Sequence, residues 1–69
     1  MYQLIKDPLT GELENIVHRL TDNAFIPFDA ANSDFQTFKR EVSEGVELQD
    51  PDGNVMTQEQ VDEFLRTLP

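Results

Sequence analysis

The sequence predicts a small α+β domain, in which an antiparallel β-meander of about three strands is followed by two short amphipathic helices. Two observations support this class. Short segments of strand-forming residues, separated by turn sequences, fill residues 1–28. Beyond them, apolar residues recur at helical spacing over residues 33–44 and 57–68. A chain of 69 residues is near the lower size limit for independent folding, so we expect residues 1–69 to form one small domain.

Three extended segments make up the predicted meander. Tyr2–Lys6 is the first, and Asp-Pro-Leu-Thr-Gly over residues 7–11 predicts a turn, because proline fixes φ and glycine accepts positive φ. Residues 12–20 form the second predicted strand, and Thr-Asp-Asn over residues 21–23 predicts another turn. Residues 24–28 are the third strand, so the chain reverses direction twice within its first 28 residues.

The third strand contains a proline between apolar residues. Pro27 has no backbone N–H for a sheet, which predicts a strand that is short or lies at an edge. Phe25 and Phe28 flank this region, and we expect both rings to anchor the strand end to the core.

The first helix is predicted over residues 33–44. Asn32 or Ser33 is expected to cap it, because a short polar side chain accepts a hydrogen bond from a free N–H of the first turn. Gly45 is expected to end it. Its apolar stripe consists of Phe35, Phe38 and Val42.

Residues 46–56 are predicted to be extended and turn structure, followed by a helix over residues 57–68. Asp-Pro-Asp-Gly-Asn at residues 50–54 is a strong turn sequence. Thr57 is the predicted cap of the last helix, with Gln60 at the capping-box position. The apolar stripe of this helix consists of Val61, Phe64, Leu65 and Leu68.

The charge is acidic and unevenly distributed. The net charge is −9, and residues 41–69 hold eight of the fourteen acidic residues but only one of the five basic ones. Such a field repels phosphate backbones, so we expect no direct nucleic-acid binding. No apolar stretch has the roughly 18 residues of a membrane span, so we expect no membrane partner. The candidate acidic surface comprises Glu47, Asp50, Asp52, Glu59, Asp62 and Glu63.

Residues 50–61 partly match a calcium-binding loop. Asp50, Asp52 and Asn54 occupy the first, third and fifth positions of an EF-hand loop. Val55 stands where the loop needs glycine, and Val61 stands where it needs a bidentate glutamate. We therefore expect a turn without a metal ion.

Catalytic residue types are sparse. His18 is the only histidine and there is no cysteine, so neither a histidine-rich nor a thiolate metal site can form. Glu12 and Glu14 fall in the second predicted strand, where no cleft is expected to raise either pKa. We predict no catalytic site, no cofactor and no metal, and hence a protein that is not an enzyme.

Five phenylalanines and one tyrosine form either the core or part of a peptide-binding groove. Phe28 lies beside Pro27 at a strand end and is the ring most expected to reach outward. The candidate partner contacts are Phe28, Pro27 and Tyr2.

Two stretches resemble known phage sequences. Ile-Pro-Phe-Asp-Ala-Ala-Asn-Ser-Asp-Phe-Gln-Thr-Phe, residues 26–38, resembles a pattern of tail and tail-fibre-associated proteins of tailed bacteriophages. Ala30 departs from the usual proline, and Phe35 replaces the commoner tyrosine. The matching positions are Ile26, Pro27, Asp29, Asn32, Asp34, Phe35 and Phe38. Residues 52–69 are similar to small proteins from phages of marine cyanobacteria.

The resemblance implies a small structural or interaction protein of the virion, in the tail, baseplate or fibre, which is present in the host cytoplasm before assembly. Its partners would be other phage structural proteins or further copies of itself in a homo-oligomer. The alternative is a phage-encoded acidic effector that mimics nucleic acid and binds a basic host protein. Salt distinguishes the two hypotheses, because apolar contacts survive high salt and exposed charge pairs do not.

Overall fold

The computed structural model of the protein describes residues 1–69 and contains a four-stranded sheet with two helices. The predicted α+β class is therefore confirmed. In chain order the elements are β1 (Tyr2–Lys6), β2 (Leu13–Arg19), β3 (Ala24–Pro27), α1 (Ser33–Ser43), β4 (Leu48–Gln49) and α2 (Gln58–Leu65).

The sheet is mixed, and this corrects the prediction of three antiparallel strands. Strand order is β3-β2-β1-β4, with antiparallel pairing of β1 to β2 and of β2 to β3. After α1 the chain returns beside β1 as β4, where Tyr2 pairs with Leu48 in parallel. The N–H of Tyr2 donates to the carbonyl of Glu47 at 3.0 Å. Leu48–Gln49, part of the stretch that was predicted only as extended, thus forms the fourth strand.

The turns within the meander follow the predicted turn chemistry. In the first, the Asp7 carboxylate accepts a hydrogen bond from the N–H of Leu9 at 2.8 Å, and Gly11 has a φ of 75°. In the second, Asn23 has a φ of 58° and is the one non-glycine residue with positive φ. Asparagine tolerates this left-handed backbone better than most residues do. Between Leu4 and Lys6 the pairing of β1 with β2 is irregular, as at a β-bulge.

Both helices begin at the predicted caps. Asn32, one of the two candidates, caps α1 by accepting from the N–H of Phe35 at 3.1 Å. Thr57 and Gln60 form the predicted capping box of α2, with side-chain-to-backbone bonds of 3.2 Å and 3.0 Å. The α2 helix is shorter than predicted: it ends at Leu65, and residues 66–68 form a tighter turn.

The core lies between one face of the sheet and both helices. Tyr2 contacts Phe38 edge to face at a centroid distance of 4.9 Å, and Phe28 stacks on Phe35 at 5.3 Å. All sheet residues in the core belong to one set of alternating positions, so both helices cover the same face. The nine buried residues are Tyr2, Leu4, Val17, Ile26, Phe35, Phe38, Val42, Leu48 and Val61.

Candidate protein-binding surface

The second face of the sheet is not covered by any element of the chain. Side chains alternate between faces along a strand, and the strand pairing sets which of them are neighbours. Gln3 pairs with His18 on one side and Gln49 on the other, and His18 pairs with Phe25. Together these positions form a surface that we call the open face. It consists of Gln3, Ile5, Ile16, His18, Phe25, Pro27 and Gln49.

Four positions of the open face, spread over β1, β2 and β3, are apolar, and we call them the apolar part. An antiparallel sheet with one solvated face usually carries polar residues on that face. Here Ile16 of β2 lies opposite Pro27 of β3, and Ile5 lies on β1, on the other side of β2. The two isoleucines are half-buried, whereas Phe25 is 59% exposed. These apolar side chains contribute nothing to the core, so their placement on a solvated sheet requires another explanation.

Phe25 is held in place by its neighbour across the strand pair. The His18 ring stacks on the Phe25 ring at a centroid distance of 4.7 Å and an interplanar angle of 10°. The Nε2 of His18 lies 3.1 Å from Oδ1 of Asn23, and because that oxygen can only accept, Nε2 donates. Two planar rings are therefore fixed against each other on the open face, which lowers the entropy cost of a partner binding there.

The free edge of β3 offers little for strand addition. The N–H of Phe28 donates to the carbonyl of Asn15 at 2.9 Å, and in an antiparallel pair alternate residues point toward the partner strand. Phe25 and Pro27 therefore direct their backbone groups outward. Pro27 has no N–H, and its carbonyl accepts from the N–H of Asp29 at 2.9 Å. Only the backbone groups of Phe25 remain free, so the open face is a better candidate for binding than the edge.

The rim of the open face beside β4 is acidic. The Gln49 side chain donates to the Glu47 carboxylate at 2.7 Å, and the Gln3 side chain donates to the Asp50 carbonyl at 3.4 Å. Lys6 lies 3.5 Å from Asp52, and both side chains are largely exposed. Carboxylates of Glu47, Asp50 and Asp52 thus border the polar end of the face.

The remaining cations lie away from this rim. Arg19 makes ion pairs with Asp22 at 2.8 Å and with Asp34 at 3.6 Å. The hydrogen bond that Arg19 donates to the Asp22 carboxylate is the main reason why the pKa of Asp22 is lowered. Arg40 lies 3.6 Å from Glu44 on α1. The other two are Lys39, which donates to the carbonyl of Pro69, and Arg66, which makes no ion pair.

The predicted partner contacts occupy three different environments. Tyr2 is 2% exposed, with its hydroxyl donating to the Glu41 carboxylate, so it has no surface to offer a partner. Phe28 is half-buried and packs on the core rings. Pro27 is exposed on the open face. Phe25, expected to anchor the core, is instead the most exposed ring, because it lies on the opposite side of β3 from Ile26.

Phe28 also lines a groove on the helical side of the sheet. The groove has a volume of about 330 Å³ and lies between the start of β2 and the end of α2. Its apolar walls are Leu13, Phe28, Phe64 and Leu68. A volume of this size is at the lower end for small-molecule sites.

The predicted acidic set is divided between two elements. Three of its members, Glu47, Asp50 and Asp52, border the open face. The other three, Glu59, Asp62 and Glu63, are exposed on α2, which packs against the opposite face of the sheet.

The Asp50 carboxylate organises its own turn. It accepts from the N–H groups of Asn54 at 2.9 Å and Asp52 at 3.0 Å. These bonds, with that of Asn54 foremost, hold the pKa of Asp50 below its usual value. No group of three or more histidine, cysteine or acidic residues in the chain has a geometry that could hold a metal ion.

Neither helix is long and apolar enough to span a membrane. Comparisons of the chain with protein-family models, with curated proteins and with solved structures found no match.

Proposed function

We propose that the chain is a non-enzymatic interaction module that binds a partner protein through the open face. The observation that carries this proposal is Phe25, which is 59% exposed on the edge strand of a face where solvated sheets carry polar residues. Its stacking on His18 holds the ring ready for contact. Exposed aromatic residues in fixed conformations are typical anchors of protein interfaces.

We propose that the chain binds its partner protein within the phage particle. The resemblance of residues 26–38 to tail and fibre-associated proteins of tailed phages supports a structural role in the tail, baseplate or fibre. Pro27 belongs both to that resemblance and to the open face. A role in the virion would supply a permanent cover for apolar side chains that the chain itself leaves uncovered.

Mass spectrometry of purified phage particles tests the proposed role, with lysate of infected cells as the comparison. We expect the chain in particles at a fixed ratio to other virion proteins. A Phe25→Ser phage should lose the chain from its particles, whereas a Leu9→Ser phage should keep it. Leu9 is a matched control because it is 93% exposed and lies in the turn after β1. Presence in lysate only, or equal incorporation of both variants, would contradict the proposal.

A second candidate function is that of an acidic effector that binds a basic host protein. The observation that favours it is the group of exposed carboxylates of Glu59, Asp62 and Glu63 on α2, a helix with no basic residue in its last turn. Binding by such a mimic would weaken steeply with salt and would depend on α2 rather than on Phe25. Replacing the three acids by their amides separates the two functions.

A further inference from the structure

We propose that the occupant of the open face is a protein surface with an apolar cluster flanked by lysine or arginine. This inference rests on the proposed function, since it names the chemistry of the partner that the open face would bind. It follows from three features of the molecule: the size of the open face, the charge of its rim and the charge of the whole chain.

The open face alone is too small for a stable interface. Three inter-strand spacings of about 4.8 Å and five residues at about 3.3 Å give roughly 14 by 17 Å, on the order of 250 Å². A specific protein interface covers about 800 Å² on each partner. The whole chain has an accessible surface of 4412 Å², so such an interface would take about a fifth of it. A partner must therefore extend beyond the apolar part onto the surrounding surface, which includes the rim.

On the rim, the carboxylates keep unused hydrogen-bonding capacity. Glu47 accepts one bond, from Gln49, through Oε2 and leaves its other oxygen free. Asp52 has its side chain 68% exposed and contacts only Lys6, at 3.5 Å. An exposed pair of this kind is weak and can exchange for a partner's cation at little cost. A lysine or arginine at the edge of a partner would find acceptors here, whereas an acidic residue would be repelled.

A second copy of the chain fits this surface poorly. Each copy carries a net charge of −9, so two copies placed face to face would repel each other through their overall charge, and neither rim would find the cations that it lacks. Like charges across an interface are costly, which favours a partner of opposite charge. Nucleic acid is disfavoured by the same field, and it would leave the apolar side chains of Ile16, Phe25 and Pro27 without matching contacts.

Selection from a random peptide library on the immobilised protein tests the inference. We expect enriched peptides to combine aromatic or aliphatic residues with an excess of lysine and arginine. In Phe25→Ser, the affinity for the best peptide should fall by about thirtyfold or more, which is the typical loss when an interface anchor is removed. It should fall about fivefold in the double variant Glu47→Gln with Asp52→Asn.

Control variants separate the rim from the total charge. Leu9→Ser should bind like the unmodified chain. The double variant Asp62→Asn with Glu63→Gln removes the same charge from α2, and it should change binding less than twofold at the salt concentration of the selection, since α2 lies in the opposite layer. Circular dichroism of each variant confirms that the fold is retained.

The outcomes distinguish the inference from the proposed function. Peptides whose binding depends on Phe25 but that contain no excess of lysine and arginine would overturn the inference of a basic partner. They would still support the open face as a binding surface. Peptide binding that is unchanged in Phe25→Ser, or a selection that enriches no peptide, would overturn both the inference and the proposed function. A homodimer in analytical ultracentrifugation that Phe25→Ser dissolves would identify a second copy as the occupant and overturn the inference.

Discussion

Alkaline pH should destabilise this protein through its single tyrosine. Tyr2 is 2% exposed and its hydroxyl donates to the Glu41 carboxylate. Burial, followed by this hydrogen bond and the charge of Glu41, raises the pKa of Tyr2 from 10.0 to about 12. The folded state therefore binds the proton more tightly than the unfolded state does. The stabilisation is complete below pH 10, and it is lost as the pH rises from about 10 to about 12.

The size of the effect follows from the pKa difference. Each unit of pKa difference corresponds to about 1.4 kcal/mol, so two units give on the order of 2–3 kcal/mol. A domain of this length has a total stability on the order of 3–10 kcal/mol, so the loss is a large fraction of it. Urea denaturation at intervals between neutral pH and pH 12 measures the change in the free energy of unfolding.

Absorbance of tyrosinate gives an independent measurement. The chain has one tyrosine and no tryptophan, so this signal belongs to Tyr2 alone. We expect a midpoint near pH 12 in the folded protein and near pH 10 in denaturant. A Tyr2→Phe variant should lose the pH dependence that comes from tyrosine. A folded-state midpoint near 10, or an unchanged pH dependence in Tyr2→Phe, would refute the reasoning.

Three further predictions concern stability. Phe38→Ala should cost about 3–5 kcal/mol and leave most molecules unfolded, because the ring is fully buried; dispersed amide signals in NMR that survive this change would contradict it. Thr57→Ala should cost about 0.5–2 kcal/mol in urea denaturation by removing the capping box, with Thr57→Ser as the neutral control. Below the ordinary aspartate pKa of 3.8, protonation of Asp50 should weaken its turn, since a lowered pKa contributes stability only above that value. A fall in the protection of the Asn54 amide, measured relative to its exchange rate in an unstructured peptide at the same pH, would show this. An Asp50→Asn variant whose protection has the same pH dependence would contradict it.

Local elements were predictable because their determinants lie within a few residues of one another. The β1 strand has the predicted bounds, and the capping box of Thr57 and Gln60 spans four residues. The turn around Asn23 likewise depends on a side chain that tolerates positive φ. Such interactions are fixed by sequence order alone and need no knowledge of the distant chain.

The fourth strand could not be predicted in this way. Leu48–Gln49 is a strand only because β1 provides a partner 46 residues earlier in the chain. The alternation of residues 46–49 indicates an extended segment, but it does not show whether that segment joins a sheet or which strand it pairs with. The mixed character of the sheet is therefore a tertiary property.

The exposed ring of the candidate site was missed for a different reason. Phe25 and Phe28 are three positions apart, so in an extended chain they point to opposite faces. Only one of them could anchor the core, and alternation with the buried Ile26 selects Phe28. Tyr2 shares a face with the buried Leu4, so the same rule places it inside. Strand alternation, applied to each aromatic residue in turn, would have found the open face.

The central position of β1 determines the order in which the protein can fold. The β1 strand pairs on one side with β2, the next strand in the chain, and on the other with β4, whose residues come 46 positions after their partners. Pairing β1 with β4 closes a loop of more than forty residues. The chain loses conformational entropy when this loop closes, before the contacts between the two strands can compensate. Pairing across such a distance slows folding. The β1–β2 hairpin needs only neighbouring parts of the chain, whereas the complete sheet also requires Leu48 to reach Tyr2.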